Sequence, residues 1–113
     1  MVEDEQAFSE LLKAVSDTTR RALLTQLVQQ GPTRVTELAS YYAMSLNAIS
    51  KHIKVLEKVG LVTRRTVGRD HWIEANLEPA RQIDQWFAEL RSIWAMSLDR
   101  LENLLTKEDS SND

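Results

Sequence analysis

Five polar side chains in one short segment have the types and spacing to touch a polyanion. Asn47, Ser50, Lys51, Lys54 and Lys58 follow one another at intervals of 3, 1, 3 and 4, which puts them on one face of a helix. Leu46, Ile49, Ile53 and Leu56 recur at 3, 4 and 3 on a different face, an inward stripe. An amide and a hydroxyl near the start, with lysines further along, suit base edges and phosphates, as a helix in a major groove requires. Asn47 is matched to adenine, Lys51 to guanine, and Lys54 and Lys58 to phosphates. A lysine-rich helix that merely faces solvent has the same pattern. Further on, Arg64 and Arg65 stand in a β-branched run, and Arg69 sits in the turn Gly68-Arg-Asp. A long cation at a tight turn can follow the backbone or enter a narrow minor groove. On a strand, arginine equally protects a sheet edge.

The charge distribution fits such a site. Between Ser45 and His71 six basic residues stand against two acidic ones, a local +4; the whole chain carries −3, so the remainder carries −7. A concentrated basic segment binds phosphate while the acidic remainder keeps other surfaces off the polyanion. An ordinary solvated cluster accounts for the charge equally well. Other chemistries lack material. Cysteine is absent, which removes disulfides, thiolate metal sites and cysteine nucleophiles. His52 and His71 are the only imidazoles, and Gly31, Gly60 and Gly68 cannot form a phosphate loop. Asp70, His71 and Glu74 read as surface groups of a hairpin, so no metal site and no cofactor is expected. No nucleophile–base–orienter set is visible, and an enzyme is not expected.

These residues need elements to hold them. At 113 residues, 42% hydrophobic and 27% charged, the chain reads as one soluble domain. Residues 6–15 form a helix through Phe8, Leu11, Leu12 and Val15. Asp17 caps a second, 18–30, with Ala22, Leu23, Leu24, Leu27 and Val28 inward, ended by Gly31-Pro32. A third, short helix covers 33–42 with Val35, Leu38 and Ala39. Ser45 caps a fourth, about 46–59, stopped by Gly60. The tight connection between the last two is that of a helix-turn-helix. Residues 61–67 and 71–75 then form a hairpin. Asn76, with Pro79 in the first turn, opens a long helix of about 77–106. Lys107 to Asp113 reads as a flexible polar tail. No apolar run approaches the roughly 18 residues of a membrane span, and the acidic start is no signal peptide, so a cytoplasmic location without membrane contact is expected.

Three segments together resemble the ArsR/SmtB family of bacterial winged helix-turn-helix repressors, from about Phe8 to Leu105. Ala14-Val-Ser-Asp-Thr-Thr-Arg-Arg-Ala-Leu-Leu is similar to the family's "ALSDPTRRxIL", with Thr18 where proline is usual. Thr36-Glu-Leu-Ala and Met44-Ser-Leu-Asn-Ala-Ile-Ser-Lys-His-Ile-Lys-Val-Leu-Glu-Lys-Val-Gly-Leu-Val resemble its recognition unit, and Arg64-Arg-Thr-Val-Gly-Arg its wing. The resemblance implies a mainly α fold with a small β-hairpin wing at about 61–76. The expected order is α-α-α-α-β-β-α, one domain over 1–106. It places Ser45, Asn47, Ser50 and Lys51 at the reading end of the recognition helix. Leu46 stands where glutamine is frequent; it either touches a thymine methyl or is core, and its stripe favours core. His52 matches a common family histidine, read as a packing or phosphate-contact residue. The family's metal sites are not matched: Ala39-Ser-Tyr replaces a Cys-x-Cys pair, and residues 77–113 hold no histidine.

The long helix calls for a partner. Residues 79–106 span about 42 Å at about 1.5 Å per residue, more than the roughly 34 Å diameter of a globule this size. Ile83, Phe87, Leu90, Trp94, Leu98, Leu101 and Leu105 keep an 11-residue period, one face of a nearly straight helix. Trp86, Ile93 and Leu104 add a second stripe. The first stripe is expected to pack on the chain's own core and the second on a second copy. The expected homodimer interface comprises Phe8, Leu12, Ile83, Trp86, Leu90, Ile93, Leu101 and Leu104. The resulting expectation is a sequence-specific regulator, a dimeric repressor on a pseudo-palindromic double-stranded DNA operator. The alternative is a winged-helix interaction module whose basic face binds an acidic protein. No inducer is identified by sequence.

Overall fold

A computed structural model describes residues 2–111, with side chains described for residues 5–107. The order is α1 (Val2–Ala14), α2 (Thr18–Gln30), β1 (Thr33–Arg34), α3 (Val35–Ser40), α4 (Leu46–Lys58), β2 (Val62–Val67), β3 (Asp70–Ala75), a 3-10 turn (Glu78–Ala80) and α5 (Arg81–Ser111). Two compact units are distinguished, Met1–Arg81 and Gln82–Asp113. Among the described residues no helix is long and apolar enough to cross a membrane.

The first unit closes on one apolar core. Leu11 and Ala14 of α1, Leu23 and Leu27 of α2, Val35 and Leu38 of α3, and Ile49, Ile53 and Leu56 of α4 are all buried. Leu61, Val62 and Ile73 complete it from the sheet side. Their 3- and 4-residue spacing on each helix lets every helix present one stripe inward. The stripes are narrower than expected: Ala22 and Val28 of α2 are exposed, and so is Leu46 of α4.

Helix α4 is fixed at both ends by its own sequence. Ser45 Oγ accepts the Ala48 N–H at 3.1 Å, satisfying one of the free donors of the first turn. At the other end Gly60 adopts φ +83°, its N–H donates to Glu57 O at 3.1 Å, and Leu61 N–H donates to Leu56 O at 3.0 Å. This is a Schellman closure, which turns the chain directly from α4 into β2. A Cβ at position 60 would also come within 3.3 Å of Pro79 Cγ.

Two features differ from the expected order. Thr33 and Arg34 form β1, paired antiparallel with Ile73 and Trp72, so the sheet has three strands in the order β1-β3-β2. The third helix therefore begins at Val35 and ends at Ser40, shorter than expected. The helix starts late because the two residues before it are paired with the edge of β3, a tertiary contact. Helix α5 runs through Ser111, across most of the stretch read as a flexible tail, since no glycine or proline interrupts it. Residues 112 and 113 lie outside the described residues.

Candidate nucleic-acid interface

The exposed face of α4 carries Asn47, Lys51 and Lys54, with Ser50 half-buried at its margin. Among the described residues no ion pair engages Lys51 or Lys54. Lys58, one turn beyond Lys54, is 74% exposed and lies 3.9 Å from Glu10 Oε1 of α1. An exposed pair at that distance is weak and leaves the ammonium accessible. Behind this face Ile49, Ile53 and Leu56 anchor the helix in the core, so the polar groups are presented on a rigid element.

The hairpin stands beside α4 and is tied to it. Arg64 Nε lies 3.3 Å from Glu57 Oε2, and its Nη2 donates to Oε1 at 3.4 Å. Arg64 is 24% exposed where Arg65, the next residue, is 78% exposed. Alternation along β2 explains the contrast: Arg64 faces α4, and Arg65 the outer side of the sheet. Arg65 lies 3.9 Å from Glu74. Arg69 occupies the second position of a two-residue loop whose first, Gly68, has φ +64°. A positive φ at the first position only is the pattern of a type II′ turn, whose twist suits a hairpin. The guanidinium is thereby carried to the exposed tip.

Several expected site residues are engaged inside the fold. Ser45 uses its hydroxyl as the α4 cap. His52 is half-buried, its Nδ1 3.4 Å from Arg20 Nη1 and 3.8 Å from Asp17 Oδ2. Arg64 is held by Glu57. His71 Nδ1 lies 3.1 Å from Thr66 Oγ1 across the hairpin. Among the described residues no three His, Asp or Glu side chains gather into a group able to hold a metal.

A network that sequence reasoning missed centres on Arg20. Its Nε donates to Ala14 O at 2.7 Å and its Nη2 to Lys13 O at 3.0 Å, closing the end of α1. Its backbone N–H is accepted by Asp17 Oδ2 at 3.0 Å, capping α2. That backbone hydrogen bond, aided by the Arg20 charge, holds the Asp17 carboxyl below its ordinary value against desolvation. The signal was present in Asp17-x-x-Arg20, a cap with a cation in the first turn. Arg34, also overlooked, lies over the Trp72 ring at 5.8 Å on the outer side of the sheet. Its placement follows from β1, which local pattern did not reveal.

Helix α5, taken by itself, exposes both of its apolar stripes. Phe87, Leu90, Trp94, Leu98, Leu101 and Leu105 are exposed, as are Trp86, Ile93 and Leu104, while Ile83 is half-buried. At about 100° per residue the two stripes merge into one arc about 140° wide. Phe8 and Leu12 of α1 are half-buried.

Comparison with known proteins gives the same picture. A helix-turn-helix domain model matches residues 15–65. The chain is 34% identical over 79 residues to YuzN of Bacillus subtilis strain 168, a helix-turn-helix-type transcriptional regulator; the match covers 65% of this chain and 86% of that one. The crystal structure of an ArsR family transcriptional regulator superposes with a TM-score of 0.76 at 33% identity, over 80% of this chain and 93% of that chain. The solution structure of a homodimeric winged helix-turn-helix DNA-binding domain from Mycobacterium bovis shares the fold at a TM-score of 0.65 and 24% identity, covering 78% and 83%. Capped recognition helix, hairpin wing and relatives matched over most of their length agree: the chain belongs to the ArsR family of winged helix-turn-helix transcriptional regulators.

Proposed function

We propose that this DNA-binding transcriptional regulator acts in the cytoplasm as a homodimeric repressor. It lays α4 of each copy into successive major grooves of a pseudo-palindromic operator. The observation that carries this is the exposed Asn47–Lys51–Lys54 face of a helix whose Ile49, Ile53 and Leu56 are fully buried on the opposite side. Half-site centres should lie about 10 base pairs, or a multiple, apart. In this reading Asn47 and Lys51 reach base edges, Ser50 lies at the margin, and Lys54 and Lys58 hold phosphates. Arg65 and Arg69 follow the flanking backbone from the wing. Ser45, His52 and Arg64 position these groups, each through a partner in the fold. A family of DNA-binding regulators does no catalysis, and the chain is not an enzyme.

Dimerisation is supported by the apolar arc of α5 and by the homodimeric relative in fold. An arc of this size is larger than a soluble monomer ordinarily exposes. A second copy supplies the matching surface, with Trp86, Leu90, Ile93, Leu101 and Leu104 from each helix. Ile83 of α5 and Phe8 and Leu12 of α1 are the further residues proposed for the interface.

The test is selection of bound fragments from the host genome, followed by titration with variants. Lys51→Ala or Asn47→Ala should relax sequence preference and cost about 1–3 kcal/mol. Lys54→Ala should weaken all sequences alike and lower the salt slope by about 1. Should neither class of variant change affinity, another face binds DNA. Retention of an acidic protein with no duplex selected would instead favour an interaction module.

Metal release is not expected. With no cysteine and only two histidines, the donors for thiophilic or histidine-bound ions are missing. Zinc, cadmium, arsenite and mild thiol oxidants should leave the operator complex intact in buffered titrations. Release by micromolar zinc, abolished in His71→Ala, would overturn this.

A further inference from the structure

Resting on the DNA-binding reading above, we propose that Leu46 reads the 5-methyl group of a thymine in each operator half-site. Leu46 opens α4, and although it continues the spacing of the inward stripe, it is 48% exposed where Ile49, Ile53 and Leu56 are fully buried. About half of the Leu46 surface is therefore left to solvent at the leading end of the helix. At about 100° per residue Leu46 lies about 40° from Ser50 and about 100° from Asn47. It therefore flanks the polar face on the side of Glu57, the residue that holds the wing's Arg64.

The leading end of a recognition helix is where side chains reach base edges. In the major groove only thymine among the four bases offers an apolar group, its methyl. A branched aliphatic chain exposed at that end gains when it covers such a methyl and gains nothing from a carbonyl or an amine. The Ser45 cap fixes the backbone directly beside it, so the side chain is presented from a set position. Met44, on the other side of the cap, is 41% exposed and extends the apolar surface along the same end. Removal of one buried methyl corresponds to about a fourfold loss of affinity, or about fifteenfold for two half-sites.

The experiment replaces each thymine of a selected operator in turn by uracil, which deletes only the methyl. The wild type, Leu46→Ala and Leu46→Met are titrated on each duplex. One thymine per half-site should show the wild-type penalty. Leu46→Ala should be indifferent to uracil there, with its salt slope unchanged. Leu46→Met, which keeps an apolar reach, should restore part of the discrimination. Equal uracil penalties for wild type and Leu46→Ala, or none at any thymine, would overturn the role of Leu46 and leave the DNA-binding reading standing. Failure to select any duplex would overturn both. Because Leu46 is exposed, both variants should keep the wild-type circular dichroism spectrum. A Leu46→Ala protein that loses helical content would show instead that the side chain serves packing.

Discussion

Replacing Ile93 by aspartate should give a folded monomer whose operator affinity is lower by a factor on the order of ten or more. Ile93 is 61% exposed in the single chain, so its replacement removes nothing from the core built by α1 to α4 and the sheet. In the dimer the new carboxylate would have to be buried on the apolar arc without a partner. An unpaired buried charge costs enough to separate a modest helix-pair interface. Affinity falls because a dimer places two α4 helices on one duplex, and the second binds at a high effective concentration once the first is seated. A monomer forfeits that gain while each recognition face stays intact. Sedimentation velocity should report the monomer, circular dichroism normal helical content, and titration the weaker complex. A dimeric Ile93→Asp protein with full affinity would place the interface elsewhere, and a monomeric wild type would remove the dimer from the mechanism.

The parts of the fold that were legible are those set by neighbours in sequence. Ser45 and Gly60 bracket α4 because a hydroxyl cap and a left-handed glycine act within one turn of themselves. Gly68 marks the hairpin for the same reason. Strand β1 was illegible because Thr33 and Arg34 become a strand only by meeting the edge of β3, about forty positions away. Leu46 was misread for a geometric reason: periodicity gives the direction of a side chain but not how far the core extends beneath it. The same limit applies to α5, where spacing groups the apolar residues on faces of the helix but not against what each face packs. Within the candidate site, the outward face of α4 followed from spacing alone. The engagement of His52 by α2 and of Arg64 by Glu57 did not, since each contact joins two elements.

Arg20→Ala should destabilise the protein by about 2–4 kcal/mol, lowering the thermal midpoint on the order of 10 °C. The guanidinium supplies donors to two carbonyls at the end of α1, Ala14 O and Lys13 O, the second of which also accepts from the N–H and hydroxyl of Ser16. It also meets the half-buried His52 ring of α4, so one side chain joins the end of α1, the start of α2 and the recognition helix. Truncation removes the side-chain bonds to Ala14 O, Lys13 O and His52 at once, while the backbone N–H that Asp17 caps is kept. Arg21 provides the comparison: its guanidinium makes one exposed bond, to Val15 O at 2.9 Å. Arg21→Ala should cost only about 0.5–1.5 kcal/mol. Arg20→Lys keeps the charge without the planar fork and should fall between the two. Thermal and urea unfolding of the three variants checks the order. Operator affinity measured well below the transition should change little, since the bonds lost lie behind α4 and the Asn47–Lys51–Lys54 face is untouched. Equal losses for Arg20→Ala and Arg21→Ala would show that the network is incidental to stability.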